Sequence, residues 1–176
     1  MASLPLVASE RLTTMIIIVC GVSGTGKSTI ASLLAKTLLL PFYDADDFHP
    51  SANIQKMRCG IALDDNDRRP WLDSLASKLA QWEVDGGAVL ACSALKESYR
   101  QRLASQCSSQ VEWIMLSGSI ELLEKRLSSR TDHFFDLRLL DSQLKTLELP
   151  SYGWTIDISP PPNEIVAAII EELNGT

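Results

Sequence analysis

Short apolar runs alternate along the chain with longer segments in which apolar residues recur every three or four positions. The first run, Met15-Ile16-Ile17-Ile18-Val19-Cys20, is continuous and β-branched, as suits a strand covered on both faces, and it should lie centrally in a sheet. A glycine-rich turn follows. Ile30, Leu33, Leu34 and Leu38 then keep helical spacing up to Pro41, beyond which Phe42-Tyr43 opens a short second strand. Trp71, Leu72, Leu75, Leu79 and Trp82 mark one face of a helix closed by Gly86-Gly87, and Ala88 to Cys92 form a third strand. A short helix through Tyr99 and Leu103 leads to a fourth strand, Val111 to Leu116, and then to a helix from Ile120 to about Ser129 with a stripe of Leu122, Leu123 and Leu127. A helical stretch from Leu137 to Leu147 precedes a strand, Trp154 to Ile158. Pro160-Pro161-Pro162 reads as a stiff connector, and Ile165, Val166, Ile169, Ile170 and Leu173 close the chain as an amphipathic helix. The segment 45–70 shows no clear period. Strands that alternate with helices in this way predict an α/β fold, a parallel sheet with helices on both faces.

A chain of 176 residues and 19.4 kDa, 45% hydrophobic, predicts one core and one domain. Its formal net charge of -6 argues against a protein that coats nucleic acid or an anionic membrane, while a local basic site for a small anion stays open. Cys20, Cys59, Cys92 and Cys107 form no C-x-x-C pair, which suits core thiols in a reducing compartment; the cytoplasm is the expected one. The apolar run from Met15 to Val22 falls far short of the roughly 20 residues that span a bilayer. Residues 1–14 show neither a secretory signal nor amphipathic order and are expected to be a flexible N-terminal extension.

The chemistry begins where the first strand ends. Gly21-Val22-Ser23-Gly24-Thr25-Gly26-Lys27-Ser28 satisfies G-x-x-x-x-G-K-[ST] between a strand and a helix, the context that a phosphate-binding loop requires. Its glycines let backbone N–H groups turn toward phosphate oxygens at a positive helix end. The expected nucleotide contacts are Gly21, Ser23, Gly24, Thr25, Gly26, Lys27, Ser28 and Thr29, with Lys27 across the β- and γ-phosphates of ATP and the Ser28 hydroxyl on Mg²⁺. No guanine-reading Asn-Lys-x-Asp segment is present. After strand two the chain reads Asp44-Ala45-Asp46-Asp47-Phe48-His49-Pro50, carboxylates at the edge where doubly wound sheets bind ligands. One carboxylate near Mg²⁺ and another on a substrate hydroxyl is what alcohol phosphorylation needs.

Taken together, these residues resemble the gluconokinases, small P-loop carbohydrate kinases related in fold to shikimate kinases and nucleoside monophosphate kinases. The resemblance runs from Met15 to about Glu172. Besides the phosphate loop and the Asp44 to Pro50 segment it is carried by Asn53 with Lys56-Met57, and by Gly60 through Leu72 with its Asp67-Arg68-Arg69-Pro70-Trp71-Leu72 core. Cys92-Ser93-Ala94-Leu95-Lys96 with Tyr99-Arg100 follows, then His133-Phe134-Phe135 through Ser142-Gln143, Thr146-Leu147-Glu148 and Pro150. The resemblance implies the three-layer nucleoside-monophosphate-kinase-like fold on a five-stranded parallel sheet, one kinase domain over 15–176 with a substrate-binding insertion about 45–70 and a mobile lid about 130–150. It also implies transfer of the ATP γ-phosphoryl to the 6-hydroxyl of D-gluconate, with no nucleic acid or membrane partner.

A sugar acid presents one carboxylate and a row of hydroxyls, so its site should mix cations with hydrogen-bonding groups. His49, Lys56, Arg68 and Arg100 are the candidates, Arg100 for the carboxylate, and the resemblance adds His133 and Gln143. Asp46 is the candidate for the attacking hydroxyl and Asp44 for the outer shell of Mg²⁺, although Asp44, Asp46 and Asp47 all remain open for the first role. Arg126 and Arg130 lie four apart and share a helix face. The resemblance implies that Arg126 stacks on adenine and that Arg130 meets the transferred phosphoryl, a catalytic role it shares with Lys27 and Asp46. Asp132 and Leu144 depart from the family, which usually has Gly and Phe there, and Cys92-Ser93 stands where many P-loop proteins carry a metal-orienting Asp. A kinase of another polyol or sugar acid such as shikimate, and a non-catalytic ATP-binding regulator, are the competing readings; monomer and homodimer both stay open.

Overall fold

The computed structural model describes residues 14–129 and 137–175. The expected N-terminal extension up to residue 13, and the lid candidates Arg130, Asp132 and His133, lie outside the described residues. Five parallel strands, β1 (Ile16–Cys20), β2 (Phe42–Asp44), β3 (Ala88–Ala91), β4 (Glu112–Ser117) and β5 (Trp154–Asp157), form one sheet in the order β2-β3-β1-β4-β5. The continuous apolar strand is thus the central one, paired with β3 through Ile17 and Val89 and with β4 through Ile18 and Trp113.

Its side chains alternate between two cores because successive Cβ atoms point to opposite faces. Ile17 and Val19 enter one core with Ile30 and Leu34 of α1 (Lys27–Leu38) and with Ile165 and Ile169 of α7 (Pro162–Asn174). Ile16, Ile18 and Cys20 enter the other, with Trp71, Leu75 and Leu79 of α3 (Asp65–Val84) and Leu103 of α4 (Glu97–Ala104). Leu123 and Leu127 of α5 (Ile120–Ser128) join the first core, as does Leu140 of α6 (Leu137–Thr146). β5 is the half-covered edge strand, its residues alternating between intermediate and exposed.

The segment 45–70 is more regular than its apolar pattern predicts. Ala45–Phe48 forms a 3₁₀ turn capped by the Asp44 carboxylate, and Ser51–Arg58 forms α2, which buries only Asn53 and Met57. Helix α3 starts at Asp65 instead of near Trp71. Asp64 and Asp67 close a capping box, each side chain accepting the other's backbone N–H at 2.8 and 3.0 Å. The starts of the 3₁₀ turn and of α3 are set by polar caps, while α2 follows Pro50 with no side-chain cap, so none of them is marked by a hydrophobic stripe. The last proline of the connector is also helical: Pro162 opens α7, where its missing N–H has no intrahelical acceptor to lose. Among the described residues no helix is long and apolar enough to cross a membrane.

Candidate functional site

Because the strands are parallel, the residues after β1, β2 and β3 meet at one edge of the sheet. The phosphate loop leaves β1 through Gly21, Gly24 and Gly26, with φ of 144°, 86° and 85°. At Gly21 a Cβ would stand 2.8 Å from the Leu116 carbonyl oxygen, so this position requires glycine both for conformation and for space. The Thr25 hydroxyl donates to the Val22 carbonyl at 2.8 Å and stiffens the loop. The Ile30 N–H donates to the Gly26 carbonyl at 2.9 Å. The N–H groups of Lys27, Ser28 and Thr29 precede that bond and have no intrahelical acceptor, which makes the start of α1 an anion-binding end.

Lys27 rises from this loop into a cavity that it shares with Asp44, Asp46, His49 and Arg68. Its ammonium donates to the Val22 carbonyl at 3.0 Å, and desolvation lowers its pKa against the opposing charges of Asp46 and Asp44. The Ser28 hydroxyl donates to one oxygen of the Asp44 carboxylate, while the other accepts the Asp46 N–H at 3.0 Å. Asp46 opens onto the cavity, and burial followed by the charge of Asp44 raises its pKa to about 6.

His49 is held on both sides. Its ring stacks on Trp71 with centroids 4.1 Å apart, and Trp71 in turn donates its indole N–H to the Ala45 carbonyl at 2.8 Å. The Asn53 side-chain nitrogen lies 3.4 Å from His49 Nδ1 and donates to the Asp67 carbonyl at 2.9 Å, which leaves Nε2 3.8 Å from Asp46. Burial, then the neighbouring Arg68, lowers the His49 pKa to about 4, so the ring is neutral at pH 7. Arg68 donates to the Leu63 carbonyl and lies over the Tyr99 ring, 5.4 Å from its centroid.

The opposite wall is α6, which contributes Leu139, Ser142, Gln143 and Thr146, and the floor is Cys92 and Ser93 beyond β3. Gln143 accepts the Ser23 N–H through Oε1 at 2.7 Å. Leu144, the departure from the expected Phe, packs against the core. Burial raises the Cys20 pKa to about 12 and pushes Cys92 higher still, so both thiols stay protonated and unreactive.

Two of the expected substrate cations stand elsewhere. Arg100 is 1% exposed and spends its donors inside the protein. They go to Glu97 at 3.0 and 3.1 Å, the Tyr152 hydroxyl at 3.1 Å, and the carbonyls of Ala94, Leu95 and Glu148 at 2.8, 3.3 and 2.8 Å. Helix α4 points it inward beside Leu103, three residues on, and its guanidinium is not part of the lining of the cavity that holds Lys27 and Asp46. Lys56 lies outside the cavity lining in an ion pair with Asp67 at 2.7 Å. Arg126 flanks the phosphate loop, donating to the Ile158 carbonyl at 2.9 Å with its other nitrogen 3.5 Å from the carbonyls of Gly24 and Thr25.

Asn53, Trp71 and Ser93 were absent from the expected site residues. Trp71 reads as core in the hydrophobic pattern, and only its indole N–H marked it as a residue that needs a polar partner.

The model of the shikimate kinase family matches residues 23–152. A gluconokinase of Arabidopsis thaliana is 40% identical over 93% of this chain and 95% of its own length. The chain belongs to the gluconokinase family. The thermoresistant gluconokinase of Escherichia coli is 38% identical over 89% of this chain and 91% of its own. The crystal structure of a gluconokinase from Sinorhizobium meliloti superposes with a TM-score of 0.84 at 38% identity, covering 92% of this chain and 93% of that one. In gluconokinase terms, the phosphate loop, the 45–70 segment and α6 enclose one cavity, and the chain is a P-loop kinase.

Proposed function

We propose that the protein transfers the γ-phosphoryl of ATP to the 6-hydroxyl of D-gluconate, giving 6-phospho-D-gluconate and ADP. The observation that carries this reading is that Asp46 opens onto the same cavity as Lys27, with Arg68 the one other Lys or Arg among the described lining residues. Asp46 orients the hydroxyl and takes its proton as the O6–P bond forms and the bond from Pγ to the β-phosphate oxygen breaks. Lys27 holds the charge of the transferring group. Arg68, whose fork suits a carboxylate, receives the acid end of the substrate in place of Arg100. Neutral His49 supports Asp46 without adding a positive charge beside it.

The Ser28 hydroxyl and Asp44 carboxylate, already in contact, are oxygen donors of the kind a hard cation prefers and would hold Mg²⁺ and its water shell. Bound there, Mg²⁺ neutralises charge on the phosphate oxygens. Arg126, beside the loop, is proposed to flank the nucleotide, with Arg130 reaching the phosphoryl and His133 the substrate. Residues 15–176 act as one kinase domain in which 45–70 holds the acceptor and 130–150 closes over it. The free thiols suit a reducing compartment, in accord with a cytoplasmic enzyme.

A coupled ADP-release assay against D-gluconate, other aldonates, shikimate and nucleoside monophosphates tests this assignment. Turnover with D-gluconate well above the rest is expected. Preference for another acceptor would reassign the substrate, and ATP binding with no turnover on any acceptor would make the chain a nucleotide-binding regulator.

A further inference from the structure

Helix α6 is attached at three places. Leu140 and Leu144, with Leu147 just beyond the helix, pack on the core. Glu148, two residues past its end, is bolted to the α4 segment: its N–H donates to the Leu95 carbonyl at 2.8 Å, its carboxylate accepts the Glu97 N–H at 2.8 Å, and its carbonyl accepts from Arg100 at 2.8 Å. The third attachment is polar and spans the cavity, from the Ser23 N–H of the phosphate loop to Gln143 Oε1 at 2.7 Å.

This last bond settles the orientation of the Gln143 amide. A backbone N–H can donate only to the oxygen, so Nε2 must be the other arm. Gln143 lines the cavity between the phosphate loop and the acceptor side. The wall that faces the reacting groups is therefore tied directly to the loop that holds the phosphates, 120 residues away in sequence.

We infer that Gln143 is a positioning residue that seats α6 on the phosphate loop through Ser23, so that the γ-phosphoryl is transferred to the bound sugar acid and not to water. The inference rests on the proposed gluconate kinase activity. A seated α6 narrows the way by which bulk water reaches the phosphoryl, and an enclosed site protects transfer from hydrolysis. Without the Oε1 acceptor the helix keeps its apolar and C-terminal anchors, and only its contact with the loop is lost. The defect then falls on the partition between sugar and water more than on folding.

The test uses the full chain and measures ADP formed per 6-phosphogluconate formed, with the Tm recorded in parallel. Gln143→Met keeps the length and volume of the side chain and removes the acceptor; Gln143→Glu keeps an acceptor oxygen at the same reach. The parent ratio is expected near one, the Met variant at least about twofold higher, and the Glu variant back near one whatever its kcat. A ratio unchanged in Gln143→Met overturns the inference, as does an equal rise in both variants, which would trace the effect to the lost NH₂. If the parent releases ADP but forms no 6-phosphogluconate, the gluconate assignment itself fails, a result distinct from either outcome.

Discussion

The Ser28 hydroxyl donates a hydrogen bond to the Asp44 carboxylate, and this contact ties the first turn of α1 to the end of β2. The second oxygen of Asp44 holds the Asp46 N–H, so one carboxylate links the phosphate loop to the residue proposed to face the acceptor. Asp44→Ala therefore loosens both sides of the site. The concentration of Mg²⁺ that gives half-maximal activity should rise by about tenfold or more, the usual effect of losing a partner around a metal. A titration of rate against Mg²⁺ checks this, and an unchanged midpoint would remove Asp44 from the metal's surroundings.

Lys27 is proposed to hold the charge of the transferring phosphoryl. Lys27→Ala should lower kcat by at least about a hundredfold, on the order of 3 kcal/mol of transition-state stabilisation. Near-normal turnover in steady-state kinetics would show that the loop is not used in this way.

Asp46, the proposed base, can take a proton only when ionised. With its pKa raised to about 6 by burial and Asp44, the proton-bearing form dominates below that pH, so kcat/KM for gluconate should fall on the acid side of pH 6 and level off above it. His49, lowered to about 4, contributes no step in this range. Asp46→Asn should cut kcat by roughly a hundredfold, hold the KM within about tenfold and abolish the acid limb. A limb that persists in the variant assigns the titration to another group.

Arg68 and Arg100 should separate cleanly. Arg68→Ala is expected to raise the KM for gluconate more than it lowers kcat, because a carboxylate clamp acts on ground and transition states alike. Arg100→Met leaves the Ala94 and Glu148 carbonyls without their donor, removes the cation from Glu97, and should cost about 3 kcal/mol of stability, a fall in Tm of roughly 6–12 °C. Thermal melts and initial rates on the same preparations decide it. A stable Arg100→Met with a high KM would restore the substrate role expected from the sequence.

The parts of this protein that are legible in its sequence are those whose physics is local. A β-branched run, a loop whose glycines and Lys27-Ser28 are consecutive, and a helix that starts at once require nothing from distant residues, so β1, the phosphate loop and α1 follow from the order of residues. The Asp44 to His49 segment is legible for the same reason: position after a strand puts it at the ligand edge. Capping in 45–70 is also local, but it works through Asp64 and Asp67 and leaves no apolar period to find.

What only the tertiary structure decided is which side of each helix faces the cavity and which residues meet across it. Arg68 and Arg100 are alike in sequence, each beside a family motif, yet the packing of α4 turns Arg100 into the interior while α3 leaves Arg68 on the cavity. Ser23 and Gln143 come into contact only because α6 crosses the sheet edge, held by leucines whose partners lie on other elements. Those choices depend on burial summed over the whole core, and a charge or an amide carries no mark of them until the helices are packed.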